Sequence, residues 1–244
     1  MKIVKPYAKI MEPSLLAGAL SRVEYAARVS HRSEENAGDS PEKFIRAVVL
    51  QHGDWSVTEH VSASVEFLVD RGITHEIVRH RLAAYTQEST RFVNYAKKTP
   101  PSFIYPIVGV ECVHCLAGDE PMWRSPNGEP GWWHADFGWC PYNQQWMTVI
   151  FEAEDAYISL LRDSQWRPQE ARSVFPNALS SKIIVTYNLR VWRHFFLMRT
   201  SKEAHPQMRQ VVIPLLAEFQ RLVPVLYEDI VPEARQVDNI AKGQ

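Results

Sequence analysis

The sequence predicts an α+β fold: a single domain over residues 1–244, built from long helices and a mixed sheet, with an insertion at about residues 109–142. Hydrophobic residues make up 45% of the chain and charged residues 23%, which is typical of a globular protein with a buried core. Apolar residues recur at helical spacing in some segments and alternate at strand spacing in others. No internal repeat and no apolar run of membrane-spanning length interrupts these patterns.

The first clear elements are a helix and a strand. Ser40 and Pro41 form a helix start, and the apolar pattern that follows continues until Gly53, so residues 41–52 are predicted to be helical. Every second residue from Val61 to Val69 is apolar, which predicts a half-buried strand.

A short helix and an irregular insertion are expected next. Thr74 is placed to cap a helix over residues 74–81, and residues 102–108 are expected to be extended. Residues 109–142 contain five of the ten glycines, four prolines, four of the eight tryptophans and all three cysteines. This composition indicates a long insertion with its own small core.

The second half returns to regular patterns. Residues 143–162 have helical spacing, and Pro168 suits the first turn of a short element. Residues 182–188 are β-branched, and residues 188–199 resume helical spacing. A final helix begins near Pro206, and its apolar positions suit packing or self-association. These positions are Met208, Val211, Val212, Leu215, Leu216 and Phe219.

The charge balance excludes several classes of protein. Lys and Arg number 27 against 28 Asp and Glu, so no global positive field attracts nucleic acid or a membrane surface. The N-terminal residues lack the apolar stretch of a secretory signal, and we expect a cytoplasmic protein. Three cysteines, an odd number, indicate a reducing compartment or a local metal site.

Arginine is concentrated in two segments, which predicts a focused anion site. The segments span residues 71–98 and 172–209. The planar fork of an arginine matches phosphate oxygens or the edge of a heterocycle, so the ligand should be planar or phosphorylated. The alternative is that individual arginines occupy solvated helix faces, and that Glu76 forms an ordinary surface ion pair one helical turn away.

One motif sharpens this prediction: Arg79, His80 and Arg81 are followed, after seven residues, by Ser89. This pattern resembles the signature of the flavin-dependent thymidylate synthases, the ThyX family, and the resemblance extends over most of the chain. Further blocks that resemble the family occur in the same order as in its members: Ser56-Val57, Glu59-His60, residues 168–172, Pro176-Asn177, Asn188-Leu189-Arg190, residues 194–196, Arg199 and residues 204–209.

The resemblance implies two sets of ligand-binding residues, some of them supplied by a neighbouring subunit of a homotetramer. The implied flavin set is Ser56, Arg79, His80, Arg81, Gln87, Asn188, Arg190 and His194. The implied dUMP set is Glu76, Arg79, Gln87, Glu88, Ser89, Arg91, Arg172 and Arg199.

The resemblance also implies a reaction, the reductive methylation of dUMP to dTMP with methylenetetrahydrofolate, FAD and NADPH. Arg199 is the implied catalytic residue, because its guanidinium would stabilise an ionised uracil edge. Asp54 and Phe92 depart from the family pattern, at positions where His and Tyr are common. Two alternatives therefore stay open: a hydroxymethylase that quenches the methylene with water, and a non-catalytic nucleotide- or flavin-binding protein.

The cysteines of the insertion raise a separate question. Cys112, Cys115, His134 and Cys140 have the ligand types of a Cys3His zinc site, since thiolates two residues apart can share a tetrahedral ion. His114 is a competing ligand, and the alternative is that the three cysteines are packed thiols.

Overall fold

The structure is a computed structural model that describes residues 2–38, 40–97, 100–106, 131–134, 138–141 and 143–233. Its N-terminal part contains strands β1 (Lys2–Val4) and β2 (Tyr7–Ile10), a 3-10 turn, and helix α1 (Ala19–Val29). The sequence patterns predicted none of these elements.

The predicted helix over 41–52 and the strand after it are confirmed. Helix α2 (Pro41–Ile45) continues as a π-helical turn over Arg46–Gln51. Gly53 then has a φ of 84°, a left-handed conformation that glycine adopts without a steric penalty, and it ends the helix. A 3-10 helix (Trp55–His60) leads into strand β3 (Ser62–Asp70).

The prediction that Thr74 caps a helix over 74–81 is wrong. Helix α3 spans Arg71–Ile77, and its cap is Asp70, whose Oδ1 accepts a 2.8 Å hydrogen bond from the amide of Ile73. The carboxylate at the end of β3 reaches the free amides three residues ahead, so the helix begins there. Thr74 lies inside the helix, where its hydroxyl donates to the Arg71 carbonyl.

Two short strands and a two-stranded hairpin follow. They are β4 (Ala84–Gln87), β5 (Ser102–Ile104), β6 (Gly131–His134) and β7 (Gly138–Pro141). Strand β5 confirms the predicted extended segment over residues 102–104, and residues 107 and 108 of that segment lie outside the described residues. Strands β6 and β7 pair as an antiparallel hairpin inside the predicted insertion. The cysteines at 112 and 115 lie outside the described residues.

The second half of the chain confirms the patterns predicted there. In chain order its elements are α4 (Gln144–Arg162), α5 (Pro168–Ala171), β8 (Ser180–Asn188), α6 (Leu189–Arg199), α7 (Pro206–Leu222) and α8 (Pro224–Tyr227). N-cap side chains accept hydrogen bonds from amides of three of these helices: Asn143 from α4, Asn188 from α6 and His205 from α7.

Both kinds of strand pairing occur. The main sheet has the order β2-β3-β8-β4 and is antiparallel, whereas β1 and β5 form a parallel pair. The register of β3 and β8 places Ser62 opposite Asn188 and Asp70 opposite Ser180. Helices α3 and α6 therefore leave the sheet at opposite ends, and α6 returns toward α3.

An aromatic core covers the sheet. Trp192, Phe195 and Phe196 of α6 are fully buried and pack against Phe67 of β3 and Phe219 of α7. All six apolar positions singled out on the last helix are buried in this core, so that face packs within the chain. Among the residues that the structure describes, no helix is both long and apolar enough to cross a membrane.

Candidate active site

The centre of the candidate site is Arg199, the last residue of α6, which contacts α3. Its Nε donates a 2.8 Å hydrogen bond to Nε2 of His80, and Nη1 lies 2.7 Å from the Glu76 carboxylate. Nη2 donates to the Glu76 carbonyl at 3.2 Å. Three of the five N–H donors of the guanidinium are thus used, which leaves two for a ligand. The predicted surface pair of Glu76 with the next turn of its helix is wrong, because its carboxylate pairs with Arg199 across the chain.

His80 is neutral in this arrangement. Its Nε2 accepts a hydrogen bond, which an imidazolium nitrogen cannot do. Burial first, and then the nearby charge of Arg199, together lower the pKa of His80 from 6.5 to about 4. The ring lies against Phe195 and 6.0 Å, centroid to centroid, from His194. His80 is therefore an acceptor that fixes the orientation of the guanidinium.

The lowered pKa of His80 predicts a pH dependence of folding. A histidine whose pKa is lower in the folded state takes up its proton more readily when the chain unfolds. We therefore expect thermal stability to fall as the pH is lowered from about 6.5 to about 4. Gln can accept the Arg199 bond without titrating, so melting curves of His80→Gln should decline less over this range. Parallel curves for the two proteins would contradict the prediction.

Gln87 and Glu88 lie at the end of β4 and are held by other side chains. The Gln87 amide nitrogen donates to the hydroxyls of Thr74 and Ser181, at 3.0 and 3.1 Å. Glu88 accepts a 2.9 Å hydrogen bond from the hydroxyl of Tyr95. These bonds fix two members of the predicted dUMP set beside α3 and β8.

A second pair of predicted residues meets in the loop after β4. Nη1 of Arg172 donates a 2.8 Å hydrogen bond to the hydroxyl of Thr90, a buried residue between Ser89 and Arg91. The half-buried hydroxyl of Ser89 accepts a weak bond from the Arg91 amide. Ser89 and Arg172 thus lie near one another with an exposed arginine beside them, as an anion site requires.

Three residues of the predicted flavin set, Ser56, Asn188 and Arg190, lie on the 3-10 helix before β3 and at the start of α6. Asn188 caps α6, and its neighbour Arg190 forms a 2.6 Å ion pair with Glu59. Ser56 lies exposed on the same 3-10 helix as Glu59. The structure therefore joins Arg190 to the segment of Ser56, but it places neither in contact with the arginines after α3.

Three arginines of the two predicted sets have free side chains. Arg79, Arg81 and Arg91 are exposed, and none of them forms an ion pair with another residue in the described part of the chain. The guanidinium of Arg91 lies over the ring of its neighbour Phe92, 5.4 Å from the centroid. Positive groups with this freedom can bind anionic oxygens of a ligand.

Several contact residues were missed by sequence reasoning. Thr74, Thr90 and Ser181 hold predicted site residues. Tyr187 contacts the backbone of the last residue of α3, and Tyr85 contacts the backbone just after it. The alternation of β4 and β8 carries a signal for the tyrosines, because both face the same side of the sheet as the buried Val185. The threonines and Ser181 carry no such signal, since a hydroxyl fits many surroundings.

Comparisons with known proteins identify relatives of this chain. The sequence profile of the family described as thymidylate synthase complementing protein matches residues 14–225. A flavin-dependent thymidylate synthase of Corynebacterium efficiens is 32% identical over 231 residues, which cover 93% of this chain and 83% of that protein. The flavin-dependent thymidylate synthase of Mycobacterium tuberculosis has the same identity and coverage.

The fold is also that of a solved structure. The crystal structure of thymidylate synthase X from Helicobacter pylori, which contains FAD and dUMP, superposes with a TM-score of 0.62 at 19% sequence identity. The superposition covers 86% of this chain and 93% of that one. The extent of the family match and the identity to the relatives settle the assignment: the chain belongs to the family of thymidylate synthase complementing proteins, the flavin-dependent thymidylate synthases.

Proposed function

We propose that this chain catalyses the reductive methylation of dUMP to dTMP, with methylenetetrahydrofolate as carbon donor, FAD as cofactor and NADPH as reductant. One observation carries the proposal: the guanidinium of Arg199 is held by Glu76 and His80 and retains two N–H donors for a ligand. A planar ligand edge with two acceptors, such as that of uracil, suits such a group. The relatives named above support the same reaction.

The donor set suits FAD. Arg79 and Arg81 are exposed cations flanking His80, and a diphosphate needs such donors. Asn188, Arg190 and His194 offer further polar groups at and near the start of α6. When bound, FAD would supply the hydride for the reduction. The chain itself would orient the cofactor and neutralise its phosphates.

In the proposed reaction, Arg199 stabilises negative charge on the uracil edge. A fixed charge in a partly buried site acts more strongly than one in water, and no reorganisation is needed when the substrate charge develops. Ser89, Arg91 and Arg172 are proposed to bind the 5′-phosphate, and Gln87 and Glu88 to contact the nucleoside. We further propose a cytoplasmic homotetramer, in which the free arginines of one subunit serve the site of a neighbour.

Product analysis tests the function. The purified protein should retain FAD after gel filtration, and incubation with dUMP, methylenetetrahydrofolate, FAD and NADPH should yield dTMP by mass spectrometry. A hydroxymethyl product would assign the chain to the hydroxymethylase alternative. Bound flavin without any product would favour a non-catalytic binding protein, and absence of bound flavin would contradict the proposal.

The zinc site stays a prediction. His134 and Cys140 lie on the hairpin strands β6 and β7, whose backbones pair, but Cys112 and Cys115 lie outside the described residues. A Cys3His site should retain close to one zinc per chain through purification, because such sites bind zinc tightly. Elemental analysis should find that stoichiometry, whereas a metal-free folded protein with three titratable thiols would indicate packed cysteines.

A further inference from the structure

The segment between α3 and β4 carries Arg79, His80 and Arg81, yet it lies in no helix or strand. It begins where α3 ends, at a position where the last carbonyls of a helix have no intrahelical partner. Its backbone amides at Arg79 and His80 bond back to Glu76 and Ile77 at 3.3 and 3.2 Å. Other groups must hold the carbonyls of this turn.

Two tyrosine hydroxyls contact those carbonyls. The hydroxyl of Tyr85 donates to the carbonyl of His80 and lies 2.9 Å from the hydroxyl of Tyr187. Both hydroxyls lie 3.2 Å from the carbonyl of Ile77, the last residue of α3. Tyr85 belongs to β4 and Tyr187 to β8, so the turn is attached to two neighbouring strands of the main sheet.

The bond from Tyr85 to the His80 carbonyl sets the direction of the bond between the two hydroxyls. The two hydroxyls have two hydrogens, and the nearest acceptor of Tyr85 is the His80 carbonyl. Tyr187 then donates toward Tyr85 and Ile77, which gives a relay from Tyr187 through Tyr85 to His80. Burial raises the pKa of both tyrosines, so both remain protonated donors at neutral pH.

These hydrogen bonds connect the sheet to Arg199 through His80. The same His80 whose carbonyl is held by Tyr85 accepts the Nε hydrogen bond of Arg199 on its ring. The ring of Tyr187 is itself fixed in the core, 4.6 Å from the centroid of Trp192. The rigid sheet is thereby connected through two hydroxyls to both the flavin-binding motif and the catalytic arginine.

We propose that Tyr85 and Tyr187 are positioning residues, whose hydroxyls hold the Arg79–Arg81 turn in the conformation that binds FAD and orients Arg199. The part of this inference that concerns FAD binding rests on the proposed function. The part that concerns the backbone conformation of the turn does not. Neither tyrosine needs to touch the substrate or the cofactor.

Phenylalanine variants test the proposal. Tyr85→Phe and Tyr187→Phe each remove one hydroxyl and keep the packed ring. We expect the Kd for FAD, measured by flavin fluorescence, to rise about fivefold in each, the equivalent of one net hydrogen bond. In the ligand-free protein, amide exchange over residues 78–84 should accelerate by a similar factor.

Tyr227→Phe is the matched control. Its fully buried hydroxyl also donates to a backbone carbonyl, that of Leu189 at 2.9 Å, but it lies away from the Arg79–Arg81 turn. We expect this variant to keep wild-type exchange over residues 78–84, although it also loses one buried hydrogen bond. If Tyr187→Phe does not fold, Tyr85→Phe alone tests the proposal, because Tyr85 is only half-buried.

The outcomes separate the two proposals. Unchanged exchange over residues 78–84 in Tyr85→Phe would overturn the positioning role, whether or not the protein binds FAD. Faster exchange with unchanged FAD affinity would also overturn it, because the turn would then not govern binding. A wild-type protein that binds no FAD would count against the proposed function alone.

Discussion

Replacing Arg199 by lysine should slow dTMP formation by about two to three orders of magnitude, the usual effect of losing one preorganised charge contact. FAD should remain bound, because residues other than Arg199 are proposed to bind it. Lysine keeps the positive charge but lacks the planar fork. It cannot donate to His80 and Glu76 at the present positions and still present two N–H groups to a uracil edge.

Three measurements on the same Arg199→Lys protein separate a chemical role from a structural one. They are the rate of dTMP formation, FAD retention and the melting temperature. Arg221→Lys is the matched control, since Arg221 is an exposed arginine in an ordinary surface pair with Glu218. Near-normal turnover would refute the catalytic role of Arg199. Loss of folding would mean that the residue acts as a structural clamp between α3 and α6.

Replacing Trp192 by alanine should destabilise the fold by about 3–5 kcal/mol, the range observed when a large buried aromatic residue is removed. Its ring packs within 6.5 Å of five other rings, and its indole nitrogen donates a 3.0 Å hydrogen bond to the Ala63 carbonyl of β3. The truncation creates a cavity and removes the hydrogen bond to the Ala63 carbonyl. Since a domain has only about 5–15 kcal/mol of stability, much of it would be lost.

Urea unfolding at fixed protein concentration measures this effect. Leu197→Ala is the control from the same helix, because Leu197 is half exposed. We expect its free energy of unfolding to change by less than about 1 kcal/mol. Equal losses for the two variants would show that α6 is not anchored through Trp192.

The fold was most predictable where periodicity was strong. Every second residue of β3 is apolar from Val61 to Val69, and α6 and α7 have continuous apolar stripes, so these elements are where the patterns placed them. Strands β1 and β2 were missed because three or four residues are too few to establish a period. Thr and Asp are both favourable N-cap residues. Only the position at which β3 ends in the folded structure shows that Asp70, and not Thr74, caps α3.

The site was predictable in its residue types and much less in its contacts. The arginines and the Arg79–Arg81 motif could be found from sequence, since their number and spacing are unusual. The pairing of Glu76 with Arg199 joins residues 123 positions apart, and local spacing favoured a neighbour on the same helix instead. The tyrosine relay depends on the antiparallel pairing of β4 and β8, which no local pattern specifies.

The length of helix α6 sets the distance between two parts of the proposed site. Its 11 residues separate the Asn188 cap from Arg199 by about 16 Å of helix axis, and both ends belong to the proposed site. A single inserted residue would move the last position by about 1.5 Å and rotate it by about 100°, which would turn the guanidinium away from Glu76 and His80. The length of this helix is therefore as much a determinant of activity as any side chain.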